Sequence, residues 1–248
     1  FLKIHKYKMA ALEVGFTVAF VISMLVALVG NLLLIYIVWR KPETRTLTSF
    51  MFVNMAVADL LTTLFQMPIS ISYLNGLPWI SAGLAGDITC TCFYYAAFTS
   101  ITASILCLTF IAIDRYCVVF YPLRDIKWFR KAKIISPIIW ILSLALMSFT
   151  AAMFKQQNSA CFYVYNVVSE KFFFVFFFLV NYLLPLIVIC ILYGAIARKL
   201  WSHEVPGNNE AGRNQQTRAA EKNGNWFECL SLLWLCLHCV GFLRTCIS

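Results

Sequence analysis

From Cys92 to Ile113 the chain carries no charged side chain, and the run is closed by Asp114-Arg115-Tyr116. A helix of that length crosses a hydrocarbon slab of about 30 Å. A charged pair at the end of such a run reads as the cytoplasmic mouth of a membrane-spanning helix. The remaining apolar segments have to be compatible with that one.

Composition agrees. Only 12% of the residues are charged and 61% are hydrophobic, whereas soluble domains carry about a quarter charged residues. The ten cysteines fall mostly in apolar runs, as at Cys107 and Cys190, where they act as small hydrophobes. A disulfide-dense secreted scaffold is therefore not expected. The net charge of +9 comes from basic residues lying between apolar segments. That is membrane-flanking charge, and nucleic acid is not an expected partner. The chain opens at Phe1 without a Met, so the natural start is expected upstream.

Five apolar segments stand out, at 14–39, 48–74, 88–120, 134–154 and 172–200. Lipid offers no partner to an unpaired backbone group, so each is expected to be a helix. Placing the connection after the first segment inside puts fourteen Lys and Arg on that side against five outside. The N-terminus is then extracellular and Arg115 cytoplasmic. The domain reading is an outer tail at 1–13, a bundle at 14–201, a cytoplasmic loop at 202–225 and an atypical apolar segment at 226–248. Within the last, 226–243 is a sixth candidate span despite Glu228 and His238. The Phe-rich run 172–178 reads as lipid-facing or packing surface.

Each segment also holds a polar or helix-bending residue that a bare anchor does not need. They are Gly30-Asn31, Asn54 through Asp59 with Pro68, Cys90 with Asp114-Arg115-Tyr116, Trp140, and Pro185 with Tyr193. In this order and spacing the chain resembles a rhodopsin-like (class A) G-protein-coupled receptor over roughly residues 14–201. The fold class expected is an all-α membrane protein, a seven-transmembrane-receptor-like bundle with five clear spans and the sixth candidate. The resemblance implies a plasma-membrane, multi-pass protein that transduces an extracellular ligand to a heterotrimeric G protein. Pairing with a second receptor is a further partner to expect.

Cys90 and Arg115 are 25 residues apart, about 37 Å along one helix. Cys161 lies in the next outside connection, and the residues leave Cys90 or Cys92 as its partner. The family pattern implies Cys90. Asp59 sits mid-segment, where an acid costs about 2.5–3.5 kcal/mol on insertion scales, so something must compensate it. A hydrogen bond to Asn31 would do so, and Ser104 is a further neighbour. The resemblance instead implies a sodium ion held by Asp59, Ser100 and Ser104. No other cofactor is expected. It also implies that Arg115, restrained by Asp114 and followed by Tyr116, is released on activation to meet the G protein and Tyr193. Leu123 would enter the G protein.

Ala97 stands two turns inside Cys90, where amine-binding members of the family carry an aspartate. Gln66, Tyr94, Ala97, Phe98 and Ile101 give a mainly apolar pocket wall. With Arg45-Thr46-Leu47-Thr48 and Trp79, this most resembles the neuropeptide receptors. The likeness ends near Lys222, since neither a Cys-Trp-x-Pro nor an Asn-Pro-x-x-Tyr follows. A truncated or frame-shifted sequence accounts for that, and the alternative is a chain that acts only by pairing with full-length receptors. An enzyme is not expected, because no nucleophile–base pair appears. Cys236-Leu237-His238-Cys239 alone does not make a metal site.

Overall fold

The computed structural model describes residues 2–40, 47–121, 132–157, 160–164 and 167–202. Leu123 and the candidate span 226–243 lie outside the described residues. The helices are α1 (Leu2–Arg40), α2 (Leu47–Leu74), α3 (Gly83–Phe120), α4 (Ala132–Met147), α5 (Val167–Phe178) and α6 (Leu184–Ser202). Five stretches are long and apolar enough to cross a membrane: Val14–Arg40, Leu47–Tyr73, Gly83–Phe120, Ile134–Ala152 and Lys171–Lys199. Residues 1–193 form one compact unit and residues 194–248 another. The description that follows concerns the first.

The pillar of this unit is α3, which packs against α2, α4 and the segments that follow α4. In its most apolar window 72% of residues are buried, against 6% for α1. The outer surface of α1 is thus an apolar face of the kind lipid covers. At the end of α2, Gly76 adopts φ +59°. Leu77 N–H bonds the Ser72 carbonyl at 2.9 Å and Gly76 N–H bonds that of Tyr73. This is a Schellman cap, and the glycine supplies the left-handed residue it needs.

Hydropathy reads 134–154 as one helix, but the chain changes form twice within it. A 3₁₀ turn occupies Ser148–Ala152, and a strand β1 (Phe154–Gln157) follows, paired antiparallel with β2 (Ala160–Tyr163). A small two-stranded sheet therefore joins the helices of an expected all-α bundle. The register pairs Phe154 with Tyr163 and Gln156 with Cys161. Those four side chains share one face, because directly opposed residues point the same way and the pleat repeats every two. Phe154 is 6% exposed, so that face lies on the bundle.

Between α5 and α6 the backbone widens into a π-helical turn, Leu179–Leu183, in which Leu184 N–H reaches the Leu179 carbonyl. Pro185 follows at once. It has no N–H to give and its ring crowds the carbonyl four residues back, and the wide turn lies where that conflict arises. The Phe run resolves by helical period. Phe173 and Phe177 are buried at 0% and 6%, whereas Phe172 is 69% exposed.

Candidate functional sites along the third helix

The third helix carries the singled-out residues at both of its ends and in its middle. At its start, Cys90 is joined to Cys161 of β2 by a disulfide, with Cα atoms 5.8 Å apart. Cys92, the other partner the residues allowed, is a free, exposed thiol. The hairpin is seated by more than this bond. Thr91 Oγ1 donates to the Phe154 carbonyl at 2.9 Å, and Gln156 N–H donates to Asp87 Oδ1 at 2.9 Å. Gly86 lacks the side chain that would meet Gln156 and lie 2.8 Å from the Ser81 carbonyl. Glycine here is a matter of room. The turn before α3 is held as well, since Trp79 Nε1 donates to Thr89 at 3.0 Å and its ring meets Phe93 edge-on.

Beneath the hairpin is an aromatic cluster. Tyr94 stacks on Phe154 with centroids 4.0 Å apart, and Phe98 meets Phe154, Phe173 and Phe177. The expected pocket wall is therefore divided. Gln66, Ala97, Phe98 and Ile101 are buried, with Phe154 against Phe98. Tyr94 also lines a cleft of about 310 Å³ that includes Ile69, Tyr73, Trp79, Ala160 and Cys161. Gln66 donates weakly to Ser70 at 3.4 Å, and its carbonyl oxygen has no hydrogen-bond partner among the described residues.

In the middle of the helix, Ser104 Oγ donates to Asp59 Oδ1 at 2.7 Å, and both are buried. The structure brings these two expected residues together. Ser100 is turned to other partners, accepting from Thr62 at 2.9 Å and donating to the Ala97 carbonyl. Asn31 gives its amide to the Ala27 carbonyl of its own helix. A carboxylate with hydroxyls from two helices is the hard-oxygen donor set that suits an alkali or alkaline-earth cation. The residues present are thus chemically suited to the sodium ion, with Asp59 and Ser104 as its nearest pair.

At the other end, Asp114 and Arg115 separate. Asp114 is buried and accepts a hydrogen bond from Thr48 of α2 at 2.9 Å, while Arg115 is exposed. The Tyr116 ring stacks on Phe120 at 4.3 Å. Tyr193 is half-buried in α6. Near this end Asn54 of α2 accepts from Ser136 and from Trp140 Nε1 of α4, which ties three helices around the charged pair.

The Thr48 partner and the Asn54–Trp140 tie are not expected from sequence. Both polar residues of the tie stand out in their apolar runs, and a buried indole N–H needs an acceptor. For Thr48 the spacing alone carries no such signal.

Compared with known proteins, residues 30–248 match the family described as 7 transmembrane receptor (rhodopsin family). The match continues past residue 201, where the resemblance drawn from motifs ends. The chain is 27% identical over 242 residues to the Substance-P receptor of Aquarana catesbeiana, covering 92% of this chain and 58% of that one. It is 29% identical over 212 residues to the Prokineticin receptor 2 of Bos taurus, covering 79% and 54%. The chain therefore spans somewhat more than half the length of the curated relatives it matches.

Proposed function

The chain belongs to the rhodopsin family of seven-transmembrane receptors, and on that premise we propose that it receives an extracellular peptide and signals to a heterotrimeric G protein. The observation that carries this is the third helix. One rod of 38 residues is tethered to a loop hairpin at one end and presents an exposed Arg115 beside a buried Asp114 at the other. In this reading the protein sits in the plasma membrane with the disulfide end outside. The named relatives are receptors rather than enzymes, and the reading follows them.

Thr48 holds Asp114 and leaves Arg115 to reach a partner from the cytoplasm. Leu123 and Tyr193 complete the contact proposed there. Asp59 and Ser104, with Ser100 beside them, would hold sodium. A bound cation there neutralises the carboxylate and favours the state in which α2 and α3 stay joined. The peptide class follows from the apolar wall with no acid at Ala97 and from the names of the two relatives.

The test is nucleotide exchange on added G protein in membranes that express the full chain, with substance P and an amidated neuropeptide panel as probes. Stimulation that Arg115→Ala abolishes supports the reading. No stimulation by any peptide, with the chain shown to be at the surface, overturns it.

A further inference from the structure

The two edges of the hairpin differ. Two residues separate Gln157 from Ala160, so those flanking positions form a hydrogen-bonded pair and the pattern alternates from there. The Val164 N–H to Met153 carbonyl bond at 3.0 Å falls where the alternation places the next such pair beyond the strands. Phe154 and Gln156 then turn their backbone groups away from β2. On that side α3 meets them, through Thr91 and Asp87. By the same alternation Cys161 turns its backbone N–H and carbonyl away from β1. Among the described residues nothing pairs with them. The cleft that Cys161 and Ala160 line opens beside that edge.

We propose that the open edge of β2 at Cys161 is a strand-addition site for an extended peptide, which seats one apolar side chain in the adjoining cleft. This rests on the reading of the chain as a peptide receptor and adds how the peptide is held. In strand addition the main chain gives affinity and alternate side chains give specificity. The peptide residue opposite Cys161 exchanges its N–H and carbonyl with it and points its side chain toward the bundle, as Cys161 does. There it meets Ile69, Tyr73, Trp79 and Tyr94. A cleft of about 310 Å³ is at the small end for ligand sites, which suits a single large side chain. Its neighbours along the peptide point outward. Charge narrows the choice further. Of the ionisable acids and bases described at this end, Lys155 and Lys171 are exposed, and the Asp87 carboxylate is occupied by Gln156 N–H. The field favours a neutral or acidic peptide over a basic one.

The experiment uses the full chain in lipid nanodiscs and an amidated hexapeptide library, each member with one central aromatic residue and with acidic or basic flanks. Binders are then N-methylated at one backbone nitrogen at a time. The expected result is that methylation at the aromatic residue weakens binding about tenfold, as loss of a main-chain hydrogen bond in a closed site does. Methylation of its two neighbours leaves binding within about twofold. Acidic flanks bind better than basic ones, and Ser72→Trp, which fills the cleft from one wall, weakens binding about tenfold. The N-methyl series uses the unaltered chain, so it decides even if Ser72→Trp does not fold. Binders that respond equally to methylation at every position overturn the strand-addition site and leave the receptor reading standing. A chain with its disulfide formed that binds no hexapeptide overturns both.

Discussion

Thr48 and Asp114, 66 residues apart in the chain, share a buried hydrogen bond of 2.9 Å that fastens the start of α2 to the end of α3. A carboxylate at that depth needs a donor. The hydroxyl supplies it without a counter-charge, which leaves the neighbouring guanidinium of Arg115 exposed. Replacing Thr48 by Val removes the donor and keeps the shape. The expected loss is about 1–3 kcal/mol of stability, the cost of leaving a buried polar group unpaired. Thr48→Ser retains most of it. Thermal unfolding of detergent-solubilised protein, followed by thiol exposure at Cys107, separates the two variants. Equal midpoints would show that the bond contributes nothing.

At Asp59 the partner is Ser104, with a bond of 2.7 Å. If the pair holds sodium, raising NaCl from low to high concentration at constant ionic strength (balanced with choline chloride) raises the melting temperature. Ser104→Ala reduces that dependence, and Asp59→Asn abolishes it. A sodium effect that survives Asp59→Asn places the ion elsewhere.

Gly86 faces the Gln156 side chain, whose Cδ would lie 2.6 Å from an added Cβ, and the Ser81 carbonyl at 2.8 Å. Gly86→Ala should cost about 1–3 kcal/mol through overpacking. Adding Gln156→Ala restores part of that loss, because the far end of the side chain can be removed and the backbone carbonyl cannot. A double variant no more stable than Gly86→Ala would locate the strain entirely at Ser81.

The disulfide closes a separation of 71 residues. Removing it by Cys90→Ser and Cys161→Ser together should destabilise the chain by about 2–5 kcal/mol. In the intact protein a membrane-impermeant maleimide labels the exposed Cys92 and spares Cys90 and Cys161 until a reductant is added. Mass spectrometry of the labelled peptides reads this directly, and labelling of Cys90 without reductant would contradict the pairing.

Within the Phe run, the period of the helix predicts opposite outcomes for adjacent residues. Phe173 is 0% exposed and touches Phe98, Phe154 and Phe177. Phe173→Ala should cost about 3–5 kcal/mol. Phe172 is 69% exposed, and its replacement by Ala should change stability by less than about 0.5 kcal/mol. Melting curves of the pair test the placement of the helix.

The helical spans were the legible part of this chain, because an uncharged run of twenty or more residues has few ways to satisfy its backbone in lipid. Hydropathy places the first at 14–39, and the structure has Val14–Arg40. The hairpin is hidden by the same measure. Ser148 to Tyr163 is polar and aromatic enough to be turn, strand or helix end, and four-residue strands carry little periodicity. Among site residues, Asp59 and Ser104 could be paired from helix geometry because both lie on long regular elements. Asp114 could not be paired with Thr48, since Arg115 beside it is the more obvious partner. Only the packing of α2 on α3 turns the two side chains apart. The apolar wall around Phe98 likewise needs the hairpin to be known before Phe154 can be seen against it.

From Gly83 to Phe120, α3 contains no proline, and its glycines are confined to the first turn. With no hinge it moves as a stiff lever. Its load is applied at the hairpin, which three separate attachments clamp to the first turns. A tilt of about 5° would swing the far end of a 37 Å arm by roughly 3 Å. That is about the length of a hydrogen bond, and enough to pull Asp114 from Thr48. A small push on the clamped loop would thus arrive as a broken contact at the opposite face, with mechanical advantage set only by the length of the rod.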